Sequence, residues 1–246
     1  MDGTYKLTIE GYPLLVFGTQ DINHVFRPIA FAICKCESEF EYTFTLKSIK
    51  FSLSELFEYE WKVDFIMSDA SLSIYNATQS IFGQQYLHGM CVVHFWRNIR
   101  KKIASLVAKE FRKELKLDLE FLEGIHDSKL FESALSLFDQ KWTPKAAEFL
   151  EYFFETWVGS NFCNWYKGSI PPGFSNTNNG IEGFNQGLKS KYTEWSRFRL
   201  GEFADILQEV VKDYSDETSK LPFPNSLTIT EDEWKKAQIT RNEVFY

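Results

Sequence analysis

Three acids stand at positions where strand and helix ends could bring them together. Asp2, in "MDGTYKL", opens the first candidate strand. Asp69, in "FIMSDAS", ends the fourth. Glu182 lies in "TNNGIEGFNQGLKSKY", where a polar loop runs into the first turn of a late amphipathic helix. In a mixed sheet the first strand commonly lies beside the fourth, and a helix packed across the sheet can supply a third carboxylate. Three such groups are hard oxygen ligands suited to Mg²⁺ or Mn²⁺. A pair of these ions can activate a water or a 3′-hydroxyl and stabilise the leaving oxygen of a phosphodiester. Each acid also has a simpler account. Asp69 directly precedes a helix and could cap it. Glu182 follows Asn179 at nearly capping-box spacing. Asp2 could be an ordinary residue on a frayed end.

A second constellation is Cys91 and His94, a Cys-x2-His pair. Such a pair supplies half of a structural zinc site, which normally needs four ligands. The remaining candidates, Cys163, His88 and His126, show no second paired spacing, so a buried thiol at a strand end and a histidine at a helix start is favoured over zinc. Directly after His94, "FWRNIRKKIASLVAKEFRKELK" carries eight Lys/Arg against two Glu, and "GLKSKYTEWSRFR" carries four against one. The chain as a whole is at −7, so its remainder is strongly acidic and the overall sign does not exclude a nucleic-acid partner. Arg97, Arg100, Lys101 and Lys102, with Lys189, Lys191, Arg197 and Arg199, are the candidate phosphate contacts. They coat the solvent face of helices if no such partner exists. Trp96 and Trp195 lie in the same stretches, where they either stack on bases or serve packing.

The elements that must position these groups follow from hydrophobic periodicity. "TYKLTI", "YPLLVFGT" and "FRPIAFAIC" read as three short strands of an antiparallel meander over residues 3–35, with "QDINHV" as a turn. "FEYTFTLKSIKFSLSELF" has helical spacing through Leu46, Ile49, Leu53 and Leu56. A strand "WKVDFIMS", a helix "ASLSIYNATQSIF" and a strand "YLHGMCVV" complete a β-β-β-α-β-α-β order. From Phe95 onward the chain reads helical, with one helix over residues 95–116 whose inner face is Phe95, Ile99, Ile103, Leu106, Phe111 and Leu115. "EGIHDS" and Pro144 interrupt the later helices, residues 167–180 form a Gly/Pro/Ser/Asn-rich loop, and "LGEFADILQEVVKDY" is a last helix.

A chain of 246 residues with 44% apolar content buries one good core. Four irregularly spaced cysteines argue against a disulfide framework. The absence of an N-terminal signal pattern or a long apolar run predicts a soluble, intracellular protein with no membrane partner.

The segments "DGTYKL", "GYPLLVFGTQDINHVFRPIAFAI", "DFIMSDASLSIYNA", "CVVHFWRNIRKK" and "TNNGIEGFNQGLK" occur in the order found in Mutator-like element (MULE) transposases, and the chain resembles that family from residue 2 to about 192. The resemblance implies an α/β fold: a ribonuclease-H-like mixed five-stranded sheet, interrupted by an all-helical insertion before the last acid. It implies core segments at 1–94 and 177–222, an insertion at 95–176 and a polar tail at 223–246. Asp2 and Asp69 match the family's two aspartates, Glu182 matches the glutamate of its T-N-N-x-x-E-x-x-N motif, and Cys91 and His94 match its Cys-x2-His pair. These three acids would be both the catalytic groups and the ligands of two Mg²⁺ or Mn²⁺ ions. Transposon-end DNA as partner, a homodimer as the acting form and a nuclear location are implied as well. Only Met1 precedes Asp2, and no N-terminal DNA-reading module or Cys/His-rich finger is found, so the expectation is a catalytic core truncated at its N-terminus. The expected activity is metal-dependent DNA cleavage and strand transfer. The alternatives are a catalytically inactive, transposase-derived DNA-binding or regulatory protein, and a different nuclease of the same fold.

Overall fold

The computed structural model describes residues 1–21 and 25–219. Residues 1–210 form one compact unit, which holds most of the expected core and insertion segments; residues 211–246 form a second. The expected tail from 223, and part of the expected "QDINHV" turn, lie outside the described residues.

The first five strands and two helices follow the expected order: β1 (Asp2–Thr4), β2 (Leu14–Gln20), β3 (Phe26–Ile33), α1 (Glu39–Phe57), β4 (Phe65–Ser68), α2 (Leu72–Phe82) and β5 (Leu87–Met90). β1, β2 and β3 make an antiparallel meander with β2 in the centre. The run Leu14–Phe17 is buried at every position, as a strand covered on both faces requires. Pro28 sits on β3, at the sheet edge where a missing N–H is tolerated. The β2–β3 register shifts after Phe17, where Gly18 lies against the Phe26 ring and the Arg27 carbonyl with no room for a Cβ. β4 and β5 pair in parallel, joined through α2. One face of the meander is covered by helices: Leu15 and Phe17 meet Tyr42, Leu46 and Ile49 of α1 and Ile74 and Ala77 of α2.

The expected single five-stranded sheet is not what forms. Among the described residues the strands make one three-stranded and one two-stranded sheet, with no ladder from β1 to β4. β1 itself is only three residues long and lies earlier than "TYKLTI" suggested. The cause is local: Lys6 adopts a left-handed φ of 66°, which ends the strand. Beyond it the chain turns to another partner, with Phe198 donating to the Leu7 carbonyl at 3.0 Å and Ile9 donating to that of Phe198 at 2.9 Å.

The helix expected over 95–116 is two helices, α3 (Val92–Leu106) and α4 (Arg112–Gly124). Val107 is extended at the break, and the Arg112 guanidinium donates to the carbonyls of Ala104 and Val107, both at 2.7 Å. An arginine from the basic run thus satisfies orphan carbonyls at the end of α3 instead of facing solvent. α5 (Ser128–Phe153) starts where "EGIHDS" ends, with Asp127 Oδ1 accepting from the Leu130 N–H at 2.8 Å. It carries Pro144 and kinks at Ala146 instead of stopping. A π-helical turn (Phe154–Val158), a short 3-10 turn (Lys167–Ser169), α6 (Asn179–Gly187), a second π-helical turn (Leu188–Tyr192) and α7 (Leu200–Ser219) follow. No helix among the described residues is long and apolar enough to cross a membrane.

Aromatic residues bind the helical layer to β5. Phe95 stacks on Trp165 at 4.2 Å and meets the edge of Trp157 at 5.1 Å, inside a cluster that includes Met90, Trp142, Phe149 and Phe153. Phe95 is completely buried, so Phe95→Ala should lower unfolding free energy by about 3–5 kcal/mol. Urea unfolding followed by tryptophan fluorescence reads that loss.

Candidate functional site

The site is built from four chain segments. Asp2 stands on β1 opposite Val16. Asp69 directly follows β4, whose end is held by the Ser68 hydroxyl, 2.7 Å from His88 Nε2 on β5. α6 packs across the meander through Phe184, whose ring lies 5.5 Å from Phe26 and 5.7 Å from Phe31. Gly180 lets this helix approach closely, because a Cβ there would stand 2.8 Å from Gln20 Oε1. The fourth segment is the β5–α3 junction, which carries Cys91 and His94.

α6 brings Asn185 to Asp2: its Nδ2 donates to Asp2 Oδ2 at 3.0 Å. Burial pushes the Asp2 carboxyl above its ordinary range against the opposing charge of the neighbouring amino group of Met1; the Asp69 charge adds to the rise and His94 opposes it. Asp69 Oδ1 is buried without a hydrogen-bond partner. The two aspartates, distant in sequence, therefore share one electrostatic environment.

Neither simpler account of the other acids describes their positions. The residue capping α2 is Ser71, which accepts from the Ile74 N–H at 3.4 Å, so Asp69 is not the cap. The cap position of α6 is Asn178, and the Glu182 side chain does not close a capping box. Its Oε1 instead lies 3.8 Å from His94 Nε2, with the Glu182 side chain 38% exposed and that of His94 17%. Cys91 is fully buried. Its Sγ accepts the Asn178 N–H at 3.3 Å, its N–H donates to the Ser68 carbonyl at 2.9 Å, and the adjacent Val92 N–H reaches the Asn176 carbonyl at 3.0 Å. The Cys-x2-His pair thus joins the strand bearing Asp69 to the helix bearing Glu182. Burial pushes the Cys91 thiol up, but the neighbouring His94 ring and the Asn178 N–H outweigh it and leave it below its ordinary value. The nearby Cys91 sulfur in turn raises His94, against the opposing effect of burial.

The basic candidates divide. Arg97, Arg100, Lys101 and Lys102 are exposed on α3, with Arg100 resting 6.0 Å from the Trp96 ring and Lys102 4.7 Å from that of Tyr152. Lys191 is exposed, donates to the Tyr192 hydroxyl at 3.0 Å and lies over that ring. Lys189 is half-buried and turns inward: burial lowers its pKa, Lys6 adds to this, and the Asp2 charge opposes it. Trp195 is exposed, whereas Trp96 packs against the helical core.

Residues 1–98 match the family model of the MULE transposase domain. This match supports a Mutator-like transposase. The MULE segment holds Asp2, Asp69, Cys91, His94 and Arg97, while Glu182 and α6 lie beyond it. No curated protein matches the chain.

An all-oxygen pair with a buried, unpartnered Asp69 Oδ1 suits a hard divalent cation, which for Mg²⁺ takes only one or two carboxylates. A closed set of three is not formed. Among the described residues no three His, Cys, Asp or Glu side chains converge as ligands, and Glu182 stands at the rim toward His94.

Sequence reasoning missed two contributors. Asn185 was visible as the last residue of the T-N-N-x-x-E-x-x-N motif, three positions after Glu182 and so on the same helix face. The Ser68–His88 pair had no spacing signal. Burial depresses His88 from the ordinary 6.5 to about 4. A histidine held neutral in the fold contributes stability that is complete above its unfolded pKa and is lost as pH falls from about 6.5 toward 4. The loss amounts to roughly 3 kcal/mol. Urea unfolding at pH 7 and pH 4.5 should show this loss in the native chain and a smaller one in His88→Gln.

Proposed function

We propose that this chain is a transposase-type catalytic core that cuts DNA phosphodiesters and transfers the strand end in a divalent-cation-dependent reaction. The observation that carries the reading is that two half-buried aspartates on separate strand ends lie within electrostatic reach of each other, with Asp69 Oδ1 buried and without a protein partner. Two carboxylates held near each other and partly withdrawn from water are costly unless a cation offsets their charge. Asp2 and Asp69 would hold the cation, with Glu182 as the rim acid; the ion supplies Lewis-acid activation of the attacking hydroxyl and the leaving oxygen. Asn185 fixes the rotamer of Asp2. The Ser68–His88 contact anchors the strand end from which Asp69 projects. The exposed cations of α3 would track the phosphates of the substrate.

A second reading, a DNA-binding protein that keeps the fold without cutting, is favoured by the open arrangement of Glu182. Incubating the purified chain with duplex DNA and Mn²⁺ separates the two. On the catalytic reading, nicking or end-joining appears and Asp69→Asn lowers its rate by at least ~100-fold while DNA binding persists. DNA binding with no metal-dependent cutting by the native chain selects the second reading.

The DNA surface has its own test. Replacing Arg97, Arg100 and Lys101 with Gln should weaken binding similarly for unrelated sequences. It should also reduce the slope of log K against log salt by about 0.9 for each phosphate no longer neutralised. An unchanged slope, measured by fluorescence anisotropy across a salt series, places the DNA elsewhere.

A further inference from the structure

The turn after α6 carries an indole that the core does not use. α6 runs without a break into the π-helical turn Leu188–Tyr192, so Lys189 lies one helical turn beyond Asn185, the residue that donates to Asp2. The Lys189 carbonyl accepts two bonds from the chain that follows: the Trp195 N–H at 2.8 Å and the Thr193 hydroxyl at 3.0 Å. Thr193 is buried, and the Ser196 N–H closes back on its carbonyl at 2.7 Å. This folding back holds Glu194 and Trp195 in left-handed backbone, at φ 46° and 62°. Neither is a residue that adopts this region readily. Such strain persists only where surrounding bonds over-determine it, and it clusters at functional sites. Three residues on, Phe198 bonds Leu7 and Ile9 in the chain that leaves β1. The Trp195 backbone is thus fixed against a residue about 6 Å along the helix axis from Asn185. The side chain it presents is 63% exposed, whereas every other tryptophan among the described residues is buried or half-buried. Lys191, Arg197 and Arg199 flank it in the chain and are exposed, against one acid, Glu194. A large ring left in water among cations is the composition of a surface that binds single-stranded nucleic acid.

We propose that Trp195 is a stacking platform for an unpaired nucleotide of the DNA strand processed at Asp2 and Asp69, with Arg197 and Arg199 contacting its phosphates. The inference rests on the DNA chemistry proposed above. A phosphodiester is easier to reach once the base beside it has left the duplex stack, and the cost of unstacking is offset by an indole on which that base can rest. A turn fixed in advance lowers the entropy lost when the base arrives. Because every base has a π face, the platform has no sequence preference of its own. One helix then serves both tasks: its Asn185 side chain holds Asp2, and its Lys189 carbonyl holds the turn that presents Trp195.

Titration of the full chain with a single-stranded oligonucleotide and with a blunt duplex of the same sequence, followed by tryptophan emission and by anisotropy, tests this in the native chain, Trp195→Ala and Trp195→Phe. The expected result is that the single strand quenches native emission and that Trp195→Ala abolishes the quench. Trp195→Ala should also bind the single strand roughly 5–150-fold more weakly while its affinity for the duplex stays native. Trp195→Phe restores the single-strand affinity, because stacking needs the ring and not the indole N–H. Both variants keep the native melting temperature, since an exposed ring supports no packing. Native single-strand affinity in Trp195→Ala, or an equal loss for single strand and duplex, overturns the platform and leaves the proposed DNA chemistry standing. A native chain that binds neither DNA overturns both.

Discussion

Cys91 sits where two hydrogen bonds decide how far apart the segments bearing Asp69 and Glu182 lie. Its N–H is committed to the Ser68 carbonyl, at the end of the strand that delivers Asp69. Its Sγ is committed to the Asn178 N–H, at the start of the helix that delivers Glu182. A thiol is a weak acceptor, but here it is fully buried and receives an N–H at a helix N-terminus that would otherwise be unpaired. A larger side chain at this position would force α6 away from β4. His94, one turn further along α3, then faces Glu182 because the same junction has placed both.

The other end of α6 is tied down differently. Asn185 donates to Asp2 across 183 positions of sequence, and Phe184 beside it packs on two phenylalanines of β3. One face of a nine-residue helix therefore carries a rim acid, a positioning amide and an apolar anchor. Such a short helix has little stability of its own, and its structure comes from the meander beneath it. The long helical segment before it is not a loose insertion: Asn164 bonds the His88 carbonyl at 2.9 Å and accepts from the Met90 N–H at 2.8 Å, so it lies along β5.

Carboxylates near each other and partly withdrawn from water repel one another, and the fold holds Asp2 and Asp69 within each other's field against that cost. Apolar packing supplies the compensation. Leu15, Phe17, Leu46 and Ile74 are buried together beneath the site, and aliphatic or aromatic side chains of this kind contribute about 1.5–3 kcal/mol each when buried. Sites that trade local stability for function in this way are built on rigid elements.

Much was legible in the sequence because it is carried by local pattern. The order of strands and helices through residue 90, the polar loop before α6 and the basic surface of α3 follow from periodicity and turn chemistry, which are properties of neighbouring residues. Asp2, Asp69, Glu182, Cys91 and His94 stood out because motif spacing is local too. What only the folded structure decided depends on backbone conformation and contacts that no motif or periodicity announces. A left-handed Lys6 ended β1 early, Arg112 capped α3 and split the expected helix, and the strands settled into two sheets instead of one. Lys189 is half-buried, unlike the exposed cations of α3. Residue type and spacing set which chemistry the chain can offer. Which groups actually meet is settled by packing, whose partners lie tens to nearly two hundred residues away.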